Sequence, residues 1–312
     1  MDAVAVNNDT DIQTILHPTI NAFLPLLEKH RNEIRSIEYN TFKYGSTDRH
    51  QLDVYYPPAG SILNKRVPIL FFVYGGGFVA GERSFSPPMD LGYGNVAAYF
   101  AKRGLVTIIP DYRLVPHTKF PGPAEDVRDA IGWVVHNIDE VMRGHDLQAD
   151  TKSMFVTGHS AGSCHIMTML LVPGLLPQDL RARIRGIIPK GGAFKFQHDN
   201  PHHYPATLAK YYGNAQDIFD KMPVTLLRRA PGEVMEEFPD YLIMVSEREG
   251  VALREGLDEI LAVLNHRLNR DEKISVMKGH NHISPHWALW TGEGEEWAEE
   301  VEQWVKARFY SL

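Results

Sequence analysis

A serine set between two glycines, Gly158-His159-Ser160-Ala161-Gly162, is the first place in this chain where side chains are spaced for a reaction. A serine hydroxyl is a weak nucleophile near neutral pH. It needs a general base, and the base needs a carboxylate to orient it. Candidates for both lie further along: Glu247 and Glu249 as the acid, His280 and His282 as the base. Such a set performs acyl transfer. The serine attacks a carbonyl, the histidine takes its proton and later returns it to the leaving group, and backbone amides hold the oxyanion. With His286 the histidines form a His-x-His-x-x-x-His string, but no nearby cysteine or aspartate completes a recognisable zinc pattern. The chemistry requires no metal and no organic cofactor.

Specific elements must present this serine. Met154-Phe155-Val156-Thr157 is a short, apolar, β-prone run, and Ser163 to Leu171 reads as a helix. Ser160 would then stand at the tip of a strand, sharp turn and helix, the context of a nucleophile elbow. Gly158 and Gly162 let the strand and helix backbones approach where side chains would clash. The N–H groups opening the helix would face an oxyanion forming beside Ser160. Cys164, the one cysteine, falls one helical turn further on and reads as a small packing residue. No intrachain disulfide is possible, which fits a reducing compartment.

Around the elbow the pattern alternates strands with helices. Residues 11 to 35 carry apolar residues at helical spacing, interrupted by Pro18 and Pro25, and read as one or two short helices. Ser36 to Tyr44 and Gln51 to Tyr56 read as an antiparallel hairpin. Val67 to Tyr74 is a continuous apolar run, as in a strand buried on both faces. Further strands are expected at Gly104–Pro110, Arg183–Pro189, Asp240–Ser246 and Lys273–Met277. Helices are expected at Asn95–Arg103, Ala124–Val141, Arg254–Leu268 and Glu295–Phe309. This is an α/β chain with a mainly parallel central sheet and helices on both faces. Its 312 residues suit a single domain. Residues 193 to 230 lack the strand-helix rhythm and are rich in aromatics; they are expected to form a small cap, with the helices of residues 1 to 35 as its other half.

The net charge of -7 and the lack of a long basic run argue against nucleic acid as a partner. The N-terminus has neither a positive n-region nor a long apolar core, so no signal peptide is expected. No apolar run approaches the roughly 20 residues of a membrane span. A cytoplasmic protein acting on a small-molecule substrate is the expectation, with the oligomeric state open.

Three motifs together carry a resemblance: the elbow, Tyr74-Gly75-Gly76-Gly77-Phe78, and Asp111-Tyr112-Arg113-Leu114-Val115-Pro116 followed by Phe120-Pro121 and Glu125-Asp126-Val127. They resemble the α/β-hydrolase superfamily, in its hormone-sensitive-lipase-like and kynurenine-formamidase-like carboxylesterase branch, over roughly residues 36 to 310. The resemblance implies an oxyanion hole from Gly75, Gly76 or Gly77 with Ala161. It implies a triad in the order serine, acid, histidine, which favours Glu249 over Glu247 and His282 over His280. Asp258 is the fallback acid should neither glutamate matter. Asp111 is implied to brace the loop beside the oxyanion strand. Tyr74 stands where the family has histidine.

The expected activity is that of a serine hydrolase cleaving a small ester, amide or thioester. An aryl formamide is a further possible substrate through the resemblance. A trans-acting hydrolase or cyclase of a biosynthetic pathway would use the same chemistry, and a non-catalytic binding protein would keep the scaffold without the turnover. Phe78, Tyr204, Tyr211 and Trp287 are the expected substrate-binding residues, since aromatic walls suit a compact, partly apolar ligand.

Overall fold

The structure is a computed structural model that describes residues 1–60, 65–196 and 206–311. Tyr204 and the cap histidines His198, His202 and His203 lie outside the described residues.

Among those residues nine strands form one sheet. They are β1 (Tyr39–Lys43), β2 (Gln51–Tyr55), β3 (Arg66–Val73), β4 (Val106–Pro110), β5 (Gln148–His159), β6 (Ile184–Lys190), β7 (Asp240–Tyr241), β8 (Met244–Arg248) and β9 (Ser275–Asn281). The order across the sheet is β1-β2-β4-β3-β5-β6-β8-β9, with the short β7 beside β6. The β1–β2 hairpin is antiparallel and joins β4 antiparallel; every pairing from β4 to β9 is parallel. β3 runs fully buried from Val67 to Val73, as a strand covered on both faces must. Helices Gly94–Lys102, Ser284–Ala288 and Glu296–Tyr310 pack together on one side. Helices Gly122–His136, Ala161–Leu171, Pro223–Arg229 and Val251–Leu268 form a contiguous group on the other. The crevice at the carboxyl ends of β3, β5 and β6, where strand order reverses, is where such sheets bind ligands.

Five local expectations differ from the structure, the first being the helix expected at Ala124–Val141, which is two helices, Gly122–His136 and Ile138–Val141. Helix Ile12–Lys29 runs unbroken through Pro18 and Pro25. Its buried stripe of Ile15, Ile20, Phe23 and Leu27 packs onto the fold and offsets the ladder bonds that the prolines remove. The strand expected at Asp240–Ser246 is two pieces, β7 and β8, and β8 continues through Glu247 to Arg248. The last strand extends four residues further than expected, because Gly279, at φ +74°, kinks β9 without ending it. The cap region is helical from Ala206 onward, at Ala206–Tyr212, Ala215–Lys221 and Pro223–Arg229. Asn214 opens the second of these with a capping box to Asp217.

The helix Ile12–Lys29 packs against Ser284–Ala288, just past the candidate histidines. Thr19 Oγ1 there accepts a hydrogen bond of 2.9 Å from the Asn281 side chain. Asn281 Oδ1 accepts the N–H groups of Ile283 and Ser284, 3.0 Å each, and so shapes the histidine loop.

Candidate active site

Ser160 sits between β5 and the helix Ala161–Leu171 with φ +52° and ψ -120°. This is backbone that non-glycine residues rarely adopt and that clusters at active sites. Two contacts hold it there. Its N–H donates to the Lys190 carbonyl at 2.9 Å, and Ser163, one turn into the helix, bonds Lys190 through its hydroxyl. A Cβ on Gly162 would lie 2.1 Å from the Val73 carbonyl oxygen and 2.4 Å from that of Tyr74. Only glycine lets the helix start so close to β3. The Ala161 N–H opens the helix beside Ser160, a place suited to negative charge.

The structure brings His282 and Glu249 together. His282 Nδ1 lies 2.8 Å from Glu249 Oε1, and both side chains are almost fully buried. They pack over Gly191, which follows the Lys190 that anchors Ser160; a Cβ on Gly191 would lie 3.0 Å from Glu249 Oε2 and 3.2 Å from His282 Cε1. Glu249 Oε2 has no hydrogen-bond partner among the described residues. The other candidates lie elsewhere. Glu247 is surface-facing and accepts from the Gly279 N–H at 2.9 Å and from Lys278 at 3.2 Å, which hold its carboxyl below the ordinary range. Asp258 is exposed on its helix. His280 has both ring nitrogens engaged, Nδ1 with Ser284 Oγ at 2.9 Å and Nε2 with the Gly294 carbonyl at 2.7 Å.

The three glycines follow β3 directly. A Cβ on Gly75 would lie 2.9 Å from Ser160 Cβ, so this backbone passes against Ser160. Gly76 and Gly77 have φ of +140° and +60° and are exposed beside it. Tyr74 is fully buried and stacked between Tyr93 and Tyr112. Its hydroxyl donates to Asp111 Oδ1 at 2.6 Å and accepts from Arg49, which also bonds the Gly81 carbonyl at 2.7 Å. Asp111 further accepts the Arg83 N–H at 2.7 Å and pairs with the Arg83 guanidinium, as does Asp53. Tyr112 Oη donates to the Tyr74 carbonyl at 2.8 Å. Both ends of the glycine loop are therefore tied to one buried network, with Asp111 as a brace.

Phe78 and Tyr211 stack at 4.7 Å beside the elbow, in a cluster with Ala161, Cys164, Leu208, Tyr212 and Ile218. The cap helix Ala206–Tyr212 thus seats its tyrosines over the start of the elbow helix. Tyr212 Oη lies 3.2 Å from Cys164 Sγ, and burial pushes that thiol up to about 12. Trp287 is apart from this group, against Phe85 and in contact range of Gly92.

With this geometry in view, the chain can be set beside known proteins. The BD-FAE family model matches residues 52–181, less than half of the chain. A hyperthermophilic esterase from the archaeon Pyrobaculum calidifontis superposes with a TM-score of 0.66 at 20% identity, covering 96% of this chain and 92% of the other. The chain has the α/β-hydrolase fold. Esterase LipC of Mycobacterium tuberculosis is 32% identical over 134 residues, 43% of this chain and 29% of LipC. The non-reducing polyketide synthase mapC' of Penicillium brevicompactum is 29% identical over 139 residues, 43% of this chain and 6% of the synthase. The chain therefore spans under a third of either protein.

Within this α/β-hydrolase fold the sequence reading missed three buried polar groups near the elbow: His159, His165 and Lys190. His165 stands inside an apolar run, and His159 and Lys190 end strands beside glycines; the pattern marks only that they are buried. His165 Nδ1 lies 3.3 Å from Tyr211 Oη, and burial pushes its pKa down to about 3. Lys190 is fully buried; its Nζ bonds Thr157 Oγ1 and lies 5.5 Å from the Phe72 ring centre and 5.0 Å from that of Trp297.

Burial lowers the Lys190 pKa from 10.5 to about 7, which has a sign that can be checked. Below about pH 7 the ammonium is charged in both folded and unfolded chains, and its burial cost is fully felt. Between that pH and 10.5 the folded chain has released a proton that the unfolded chain still holds, so stability rises with pH. Lys190→Met should leave Thr157 Oγ1 satisfied, because it also donates to the Ile188 carbonyl at 3.0 Å. We expect this variant to gain roughly 2 kcal/mol, a Tm about 5 °C higher near pH 6. The gain should shrink towards about pH 10. A constant or growing difference would contradict this account of Lys190.

Proposed function

We propose that the chain is a carboxylesterase-like serine hydrolase that cleaves a small ester through an acyl-enzyme on Ser160. The observation that carries this reading is the buried His282–Glu249 pair packed over Gly191, next to the residue that anchors a strained Ser160. Ser160 Oγ attacks the carbonyl carbon while His282 Nε2 takes its proton. Glu249 accepts a hydrogen bond from the Nδ1–H, which fixes the tautomer and favours the imidazolium as it forms. The N–H of Ala161 and those of the Gly75–Gly77 loop bind the oxyanion. His282 returns the proton to the leaving alcohol; water then attacks the acyl-enzyme with His282 again as base. The aromatic cluster of Phe78 and Tyr211 supports a compact, partly apolar acyl or aryl group, with the cap helices as its outer wall. The esterases among its relatives and structural neighbours support the same reading.

A second reading is favoured by the polyketide synthase match: release of an acyl chain from a carrier-bound thioester, by hydrolysis or cyclisation, in trans. The chemistry at Ser160 is unchanged; only the leaving group differs.

The test is one substrate panel: p-nitrophenyl esters from acetate to palmitate, an aryl formamide, and acyl N-acetylcysteamine thioesters. Highest kcat/KM on the short esters supports the first reading, and highest on the thioesters the second. A palmitate optimum or activation at an oil–water interface would contradict the compact pocket. No turnover on any substrate would favour a binding protein on this scaffold.

A further inference from the structure

We propose that His159, the residue before the nucleophile, is a positioning residue that ties the elbow to the loop bearing the base. The inference rests on the reading of His282 as that base. His159 closes β5 and is buried. Its Nε2 lies 2.9 Å from the main-chain carbonyl oxygen of His282, a group 123 positions away in sequence. A carbonyl can only accept, so the proton is on Nε2 and Nδ1 is bare. The ring centre lies 4.6 Å from that of His282, tilted by 39°, and 4.4 Å from that of His286, edge-on at 65°. Burial, with His282 and Lys190 close by, holds it well below the ordinary histidine range, so it stays a neutral donor.

On its other edge, Nδ1 has no partner among the described residues, and a Cβ on Gly75 would lie 3.0 Å from it. One imidazole therefore touches the elbow, the first oxyanion glycine and the base loop. The His282 carbonyl lies just past the end of β9, beyond the sheet ladder, and a buried carbonyl there needs a donor. His159 supplies it, and in doing so fixes where the His282 ring stands relative to Ser160. Proton transfer depends steeply on that placement, whereas binding of substrate does not.

The test compares His159→Phe, which keeps a ring but loses the donor, with His159→Gln, whose amide nitrogen can stand in for Nε2. With p-nitrophenyl acetate we expect His159→Phe to lower kcat roughly 30-fold with KM within about twofold of the parent. Fluorophosphonate labelling should slow by a similar factor. His159→Gln should recover kcat to within about fivefold. His159→Asn, too short to reach the carbonyl, should behave like His159→Phe and serves if the latter does not fold. A kcat for His159→Phe within about threefold of the parent, a change confined to KM, or a folded His159→Gln no better than the Phe and Asn variants would overturn the proposal. A parent protein that neither turns over the ester nor labels at Ser160 would instead bring down the hydrolase reading itself.

Discussion

Alanine in place of His282 is expected to lower kcat/KM on a short aryl ester by roughly 10³ or more, because nucleophile, base and acid act as a unit. Alanine in place of His280, two residues earlier, should act mainly on stability. The difference follows from what each ring has left to offer. His282 Nδ1 is held by Glu249 at 2.8 Å, and its other nitrogen has no hydrogen-bond partner among the described residues. His280 spends both nitrogens on Ser284 and Gly294, and burial pushes its pKa down to about 4. Removing it leaves the Gly294 carbonyl without its donor, a cost of about 1–3 kcal/mol, while Ser284 Oγ keeps the Asn281 N–H at 3.1 Å. Steady-state kinetics beside thermal unfolding separates the two effects. If His280→Ala loses the activity and His282→Ala keeps it, the base has been assigned two residues too late.

Gly162→Ala is expected to cost more than about 3 kcal/mol and to abolish turnover. The added Cβ would meet the backbone oxygens of Val73 and Tyr74 at 2.1 and 2.4 Å. Neither can swing away as a side chain would, so the whole helix Ala161–Leu171 must lift from β3. That movement carries the Ala161 N–H out of reach of the oxyanion. Gly174→Ala provides the control. Its Cβ meets nothing, and its φ of +73° adds only the strain of a left-handed residue, about 1 kcal/mol. Urea unfolding midpoints compare the two directly. An unchanged midpoint for Gly162→Ala would mean that the elbow does not pack as described.

The elbow was legible because its signal is local: an apolar strand, two glycines around a serine, and a helix within a few residues. The acid was harder. Glu247 and Glu249 are two apart, and period-2 alternation cannot separate them; β8 ends at Arg248, so Glu249 leaves the ladder and turns inward while Glu247 stays at the surface. The cap read as irregular because its helices are short, and short helices carry little periodicity. The brace around Tyr74 was out of reach in a different way. Arg49, Asp53 and Arg83 come from separate loops and strands, and only the folded chain brings them to Asp111. His159 and Lys190 show the same limit: a polar residue at the end of a buried strand announces burial, but not its partner.

The most direct measurement of the central claim is covalent. The purified protein is treated with a fluorophosphonate probe, its intact mass is recorded, and the modified peptide is sequenced, with Ser160→Ala and His282→Ala treated alongside. The account predicts one probe per chain, located on Ser160, no labelling of Ser160→Ala and greatly slowed labelling of His282→Ala. Labelling of another serine, or of Ser160→Ala at the parent's rate, would contradict it.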